Sequence, residues 1–118
     1  MRDLYQPGRS TVHAPNGMAA TSHPLSTSTA LNILRTGGNA MDAAVATAFA
    51  LAVTLPTAGN IGGGGFLVYR PATGEPVAYD FREIAPAAAT PDMWLNGGAY
   101  DPVLHHDSHL AVGVPGTV

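Results

Sequence analysis

Asn39-Ala-Met-Asp-Ala-Ala-Val-Ala-Thr-Ala-Phe-Ala-Leu-Ala-Val-Thr-Leu-Pro56 runs into Thr57-Ala-Gly-Asn-Ile-Gly-Gly-Gly-Gly65 and then Phe66-Leu-Val-Tyr69. Asn39 is a favoured helix cap, and Asp42 three residues later lies at the positive end of the helix dipole. The run from Ala40 to Leu55 is apolar nearly all round, the pattern of a buried helix, and Pro56 ends it. Its alanines leave room for close packing against a sheet or a second helix. The order that follows is helix, glycine loop, strand. Both nucleotide-binding glycine motifs run strand, loop, helix, and the phosphate loop needs a lysine, which this chain lacks. The glycines Gly62 to Gly65 therefore read as a place where one backbone passes close to another, or to a ligand.

Working outward, Pro71-Ala-Thr-Gly74 is turn chemistry and Val77 to Phe81 is a second strand, so the pair predicts a hairpin. In that strand Val77, Tyr79 and Phe81 share one face, and Ala78, Asp80 and Arg82 the other. Upstream, Ser22-His23-Pro24 predicts a capped helix start. The helix runs to about Thr36, buries Ala30, Leu31, Ile33 and Leu34, and stops at Gly37-Gly38. Ala14 to Thr21 reads as a short strand broken at Asn16-Gly17, preceded by an irregular lead-in over residues 1–16. Downstream, Ile84 to Pro91 is extended, and Thr90-Pro91 predicts a helical turn through Leu95. Asn96 to Ser108 reads as a polar loop, and Leu110 to Val112 as a last strand. Helices beside antiparallel strands give an α+β layer architecture.

Composition narrows the function. The 118 residues carry five arginines and no lysine against eight acids, a net charge of −3. Phosphate neutralisation needs clustered Lys and Arg, so no nucleic-acid partner is expected. Without cysteine there is no disulfide, thiolate metal site or cysteine nucleophile. The longest apolar run, Ala43 to Val53, is broken at Thr47 and falls short of the roughly 20 residues of a membrane span. The opening MRDLYQPGRS has no apolar signal core. Charged residues make up 11% of the chain, against roughly 25% in an average soluble domain. So few charges cover little surface, and the expectation is a truncated piece that lies inside something larger, with Val114-Pro-Gly-Thr-Val118 as the opening of a cut-off helix.

Three groups of residues invite a chemical reading. His105-His106-Asp107-Ser108-His109 offers metal-ligand types, but neighbouring histidines diverge unless the backbone bends, and a solvated turn is the simpler reading. Ser108 with these neighbours lacks the geometry of a nucleophile triad. Asp80-Phe81-Arg82-Glu83 is more informative. Asp80 and Arg82 share a strand face, and a fixed guanidinium presents a planar fork for two-point recognition of a carboxylate. An ordinary surface ion pair fits these residues equally well.

Five blocks then occur in order: Gly17-Met-Ala-Ala-Thr-Ser-His23, Leu34-Arg-Thr-Gly-Gly-Asn-Ala-Met-Asp-Ala-Ala44, Ala58-Gly-Asn-Ile-Gly-Gly-Gly-Gly-Phe66, Asp80-Phe-Arg-Glu-Ile-Ala-Pro-Ala87 and Gly113-Val-Pro-Gly-Thr117. Together they closely resemble the amino-terminal part of the large subunit of the γ-glutamyltranspeptidases, or glutathione hydrolases, from Gly17 to the last residue. The resemblance implies an αββα N-terminal-nucleophile hydrolase sandwich, of which residues 17–118 form an incomplete domain. It implies a precursor that cuts itself into two subunits and exposes a threonine nucleophile at the start of the small one. That threonine takes the γ-glutamyl group from glutathione or another γ-glutamyl compound and passes it to water, an amino acid or a peptide. By the same resemblance Arg82 grips the donor's α-carboxylate, and Glu83 orients the arginine or the substrate.

The resemblance implies no metal or organic cofactor. None of the eleven threonines here sits at a Thr-Thr-His junction, so no catalytic residue is expected among these residues and the chain alone is expected to be inactive. Members of that family are often periplasmic, secreted or membrane-anchored, and the sequence assigns no compartment. The competing readings are an acylase or related amidohydrolase of the same fold acting on another amide, and a non-catalytic module that packs against a partner.

Overall fold

The structure, a computed structural model, describes residues 11–117. Helix α1 spans Pro24–Arg35, with proline in its first turn. Its cap is the His23 imidazole, whose Nδ1 accepts the Leu25 N–H at 3.3 Å. At the other end Gly38 N–H reaches Ile33 O at 2.9 Å and Gly37 N–H reaches Leu34 O at 3.3 Å. This paired termination needs a left-handed residue, and Gly37 supplies it with φ +96°. Helix α2, Ala40–Thr54, opens on the expected Asn39 cap, and Asp42 completes a capping box. Asn39 Oδ1 accepts the N–H groups of Met41 and Asp42 at 2.8 and 3.1 Å, and Asp42 Oδ2 accepts that of Asn39 at 2.9 Å.

The two helices pack through small residues. Ala30 and Ala43 are 3% and 5% exposed, and between the helices the fully buried Ser26 shares a hydroxyl hydrogen bond with Thr54 at 2.8 Å. Of the residues expected to be buried in α1, only Ala30 is; Leu31, Ile33 and Leu34 are half-covered. The far side of α2 is open, with Val45, Phe49 and Val53 exposed, so this apolar helix is not enclosed.

Strands β1 (Phe66–Tyr69) and β2 (Val77–Asp80) form the antiparallel hairpin in the register Phe66 to Asp80 through Tyr69 to Val77. The ladder continues one step further, with Gly65 and Phe81 exchanging both backbone bonds at 3.2 and 3.0 Å. Leu67, Tyr79 and Phe81 share an open cleft of about 500 Å³ with Met41, Val45 and Phe49 of α2.

Four sequence expectations are corrected. Ala14 to Thr21 forms no strand. Thr90-Pro91 leads into hydrogen-bonded turns rather than a helix. The polar loop over Asn96 to Ser108 is instead ordered as a small hairpin, β3 (Leu95–Asn96) and β4 (Ala99–Tyr100), followed by helix α3 (Pro102–His106). Gly97 and Gly98 make the hairpin turn with φ +60° and +85°, and Asp101 caps α3. Leu110 to Val112 is not a strand, because His109–Ala111 is a short 3₁₀ turn; the extended pairing lies two residues later, where Val114 bridges Ile84. Of the lead-in over residues 1–16, residues 1–10 lie outside the described ones, and 11–16 have no regular structure. The reading of a helix opening at Val114-Pro-Gly-Thr-Val118 runs onto Val118, which also lies outside them.

The described part is drawn out, with a radius of gyration of 19.5 Å where a compact chain of this length has about 13–14 Å. Its accessible surface of 9522 Å² exceeds the roughly 6,000 Å² of a compact chain of this mass. Among the described residues no helix is long and apolar enough to cross a membrane.

Candidate functional site

Arg82 and Glu83 follow β2 directly, and two other segments, the glycine loop and residues 113–117, fix the backbone that carries them. On one side Phe81 is held by the ladder to Gly65. On the other, Ile84 and Val114 exchange backbone bonds at 3.2 and 2.9 Å. Across the segment, Gly64 lies so close that an added Cβ would meet the Phe81 carbonyl oxygen, Glu83 N at 2.8 Å and the Arg82 carbonyl carbon at 3.0 Å. Gly116, in the same segment as Val114, also comes close: a Cβ there would meet the Phe81 carbonyl oxygen and, at 2.6 Å, its carbon. The close-approach reading of the glycine loop is thereby met by a specific partner, the Asp80-Phe-Arg-Glu83 backbone.

The glycine loop and the end of the described chain are also tied to each other. The Gly63 carbonyl accepts from Gly116 N–H at 3.0 Å, Thr117 N–H at 3.2 Å and Thr117 Oγ1 at 2.9 Å. Blocks far apart in sequence thus converge on four residues.

The Asp80 carboxylate does not act as the expected side-chain partner. Its Oδ1 accepts the backbone N–H of Arg82 at 3.1 Å, a tight turn that sets where the arginine leaves the strand. Glu83 leans the other way, and its Oε1 would lie 3.2 Å from a Cβ on Gly63. Arg82 and Glu83 are solvent-exposed and line the mouth of an open cleft of about 590 Å³. Its walls are apolar, from Met93, Trp94, Leu110 and Val112, and among the described residues Arg82 is the only cation on its lining.

The five-residue stretch from His105 to His109 is split by the fold. His105 and His106 lie on α3, with ring centroids 4.4 Å apart, and His105 also stacks on Trp94 at 4.8 Å. Ser108 starts the 3₁₀ turn by accepting Leu110 N–H at 3.2 Å, and His109 lies within that turn. Among the described residues no three His, Cys, Asp or Glu side chains converge as a metal site. Asp101, which positions α3, was not singled out by sequence. Its carboxyl is held below its ordinary value near 3.8 by the Leu104 N–H, the Asn96 amide and the Val103 N–H. The signal was legible in Asp101-Pro102, a capping residue followed by proline, the pattern already used for α1.

Comparison with known proteins places this arrangement. The family model described as gamma-glutamyltranspeptidase matches residues 26–118. The glutathione hydrolase proenzyme of Escherichia coli (strain K12) is 50% identical over 117 residues, covering 98% of this chain and 20% of that protein. The crystal structure of Helicobacter pylori γ-glutamyltranspeptidase superposes with a TM-score of 0.84 at 54% identity, covering 92% of this chain and 32% of the other. The Pseudomonas nitroreducens γ-glutamyltranspeptidase complexed with L-DON gives a TM-score of 0.82 at 50% identity, covering 89% and 31%. The chain spans about a fifth of the length of the curated relatives it matches. With a matching family model over most of its residues and two near-superposable relatives, the chain belongs to the γ-glutamyltranspeptidase family.

Proposed function

We propose that this chain supplies the donor-carboxylate grip of an enzyme that moves γ-glutamyl groups, from glutathione or another γ-glutamyl amide, to water or to an acceptor amino acid or peptide. In this reading Arg82 holds the donor's α-carboxylate through its two-pronged guanidinium, and Glu83 beside it orients the arginine or the substrate's ammonium. The observation that carries it is Arg82 as the sole cation, among the described residues, on a cleft lining, on a backbone pinned by two distant segments. A γ-glutamyl donor bears its α-carboxylate at the end remote from the scissile amide. Anchoring that end sets the amide carbonyl against the nucleophile, so positioning rather than bond chemistry is this segment's contribution.

The nucleophile in this reading is the threonine at the start of the small subunit of the same precursor, with its own α-amine as base. It attacks the γ-carbonyl and expels the amine, and the acyl-enzyme is then resolved by water or by the acceptor. No threonine among the 118 residues takes that role, and these residues alone turn over no donor. The reading needs no metal and no organic cofactor.

The test uses full-length protein with Arg82→Ala and Arg82→Lys, assayed on a chromogenic γ-glutamyl anilide and on its analogue lacking the α-carboxylate. Losing a charge-assisted pair of about 1.5–3 kcal/mol predicts a fall in kcat/KM of roughly 10- to 150-fold for Arg82→Ala on the γ-glutamyl donor. Lysine restores part of it, and the analogue without the carboxylate is indifferent to either substitution. Equal losses on both donors would assign Arg82 a structural role instead.

A further inference from the structure

Away from the carboxylate grip, the hairpin β3–β4 and helix α3 bring two imidazole nitrogens onto one phenol oxygen. Tyr100 Oη lies 2.7 Å from His105 Nδ1 and 3.3 Å from His106 Nε2. Neighbouring histidines usually diverge, but here one presents its Nδ1 and the other its Nε2, so both ring nitrogens face a single phenol oxygen. We propose that Tyr100, His105 and His106 form a binding site for a divalent first-row transition ion, Cu²⁺ foremost.

The distances are the argument. With metal–ligand bonds of about 2.0–2.1 Å, ligands at right angles sit about 2.8–3.0 Å apart and ligands at the tetrahedral angle about 3.3–3.4 Å apart. The two nitrogen-to-oxygen separations, 2.7 and 3.3 Å, lie within about 0.1 Å of those edges, so an ion can enter with only small side-chain adjustments. The donor set also selects the ion. Two imidazoles with one phenolic oxygen suit Cu²⁺ or Ni²⁺ and offer nothing to Mg²⁺ or Ca²⁺, which take carboxylate and carbonyl oxygens. On binding, the phenol releases its proton to solvent and the other coordination positions are left to water.

The surroundings hold the ligands in place. Asp101, directly after Tyr100, caps α3 by accepting Val103 N–H at 2.9 Å and Leu104 N–H at 3.2 Å, which fixes the helix bearing both histidines. Asp101 N–H is bound to Trp94 O at 2.8 Å, and Asn96 Nδ2 donates to Asp101 Oδ2 at 3.3 Å, so hairpin and helix form one unit. Trp94 packs against the His105 ring, with centroids 4.8 Å apart and planes tilted by 41°. No three acidic, histidine or cysteine groups converge here; the third donor is the phenol of Tyr100, outside the His105–His109 stretch.

The experiment titrates CuCl₂ into the purified full-length protein, read by calorimetry and electron paramagnetic resonance, with MgCl₂ as the control and Tyr100→Phe, His105→Ala, His106→Ala and His109→Ala as variants. The expected result is one Cu²⁺ site with two nitrogen ligands and a phenolate-to-copper absorption band, and no Mg²⁺ binding. Either alanine at 105 or 106 weakens it at least about tenfold, while His109→Ala leaves it unchanged. Tyr100→Phe, which keeps the ring and so the fold, abolishes the band and retains the two-nitrogen signal. Absence of a site in the parent protein, a site as tight in all four variants, a band that survives Tyr100→Phe, or a loss on His109→Ala equal to the others would each overturn the proposal.

Discussion

Replacing Gly64 with alanine inserts a methyl group where the Phe81–Glu83 backbone already lies. The new Cβ would sit 2.8 Å from Glu83 N and 3.0 Å from the Arg82 carbonyl carbon, and closer still to the Phe81 carbonyl oxygen. All three are main-chain atoms, so no side chain can swing aside and one of the two segments must move. Overpacking of this kind costs about 1–3 kcal/mol. Relief requires a displacement approaching 1 Å, and a reacting group misplaced by that much loses about 100-fold in rate. Gly62 is the matched control, because a Cβ there meets only Asn60 Oδ1 at 3.5 Å, an ordinary contact. In full-length protein, kcat/KM on a γ-glutamyl anilide and the urea unfolding midpoint are to be measured for both variants. Gly64→Ala should lose on both measures while Gly62→Ala stays within about 0.5 kcal/mol of the parent. If the two variants behave alike, the glycine loop does not set the position of Arg82, and the account of the site given above fails.

Three further outcomes follow from the local geometry. Asn39→Ala removes the oxygen that accepts two N–H groups at the start of α2 and should destabilise the protein by about 0.5–2 kcal/mol in equilibrium unfolding, with Asn39→Asp retaining most of the stability. Ser26→Ala breaks the hydroxyl bond between α1 and α2, but Thr54 Oγ1 keeps its bond to Ala50 O at 3.0 Å, so the loss should be about 1 kcal/mol by thermal or urea denaturation. The Asp101 carboxyl titrates below its ordinary 3.8, so its cap on α3 is fully in force above that value and fades as pH falls through the lower folded one. Amide exchange at Val103 and Leu104, corrected for intrinsic rate, should therefore lose protection on acidification below about pH 4, and Asp101→Asn should flatten that dependence.

The parts legible in sequence are those decided by neighbours along the chain. The Asn39–Asp42 box, the Gly37 stop, Pro24 in a first turn and the alternation of β2 each rest on residues within a few positions of one another. The misreadings share a different cause. Leu110 to Val112 has the composition of a strand, but strand pairing is settled by a distant partner, and the partner Ile84 takes Val114 instead. Asn96 to Ser108 looked like a loop because its elements are too short to show periodicity, though Gly97-Gly98 and Asp101-Pro102 carried the turn and the cap. Asp80 was expected to face the Arg82 guanidinium from strand alternation, but the strand ends at Asp80 and the carboxylate turns back to the Arg82 backbone. For the candidate site, Arg82 and Glu83 were named from sequence; that Gly64 and Gly116, about 18 and about 34 residues away, touch their backbone was not, since contact between distant segments has no local signature.

The node around Arg82 is built in an unusual way for a region that fixes a side chain. Its described residues include none that is fully buried, so apolar burial contributes little to holding it. What holds it is main chain on main chain: the Gly65–Phe81 and Ile84–Val114 exchanges, and the Gly63 carbonyl with its bonds from Gly116 and Thr117. Such bonds are made whatever the side chains are, provided the backbones can meet. The restriction therefore falls on positions where a Cβ would keep them apart, Gly64 and Gly116, and on the two polar side chains that the segment presents to the cleft, Arg82 and Glu83. It also follows that the apolar residues around it, Met93, Trp94, Leu110 and Val112, are free to serve as cleft walls, since none is needed as core beneath the arginine. Conservative changes among those four should therefore alter what the cleft accepts before they alter whether the node forms, whereas one methyl group on Gly64 should do the reverse.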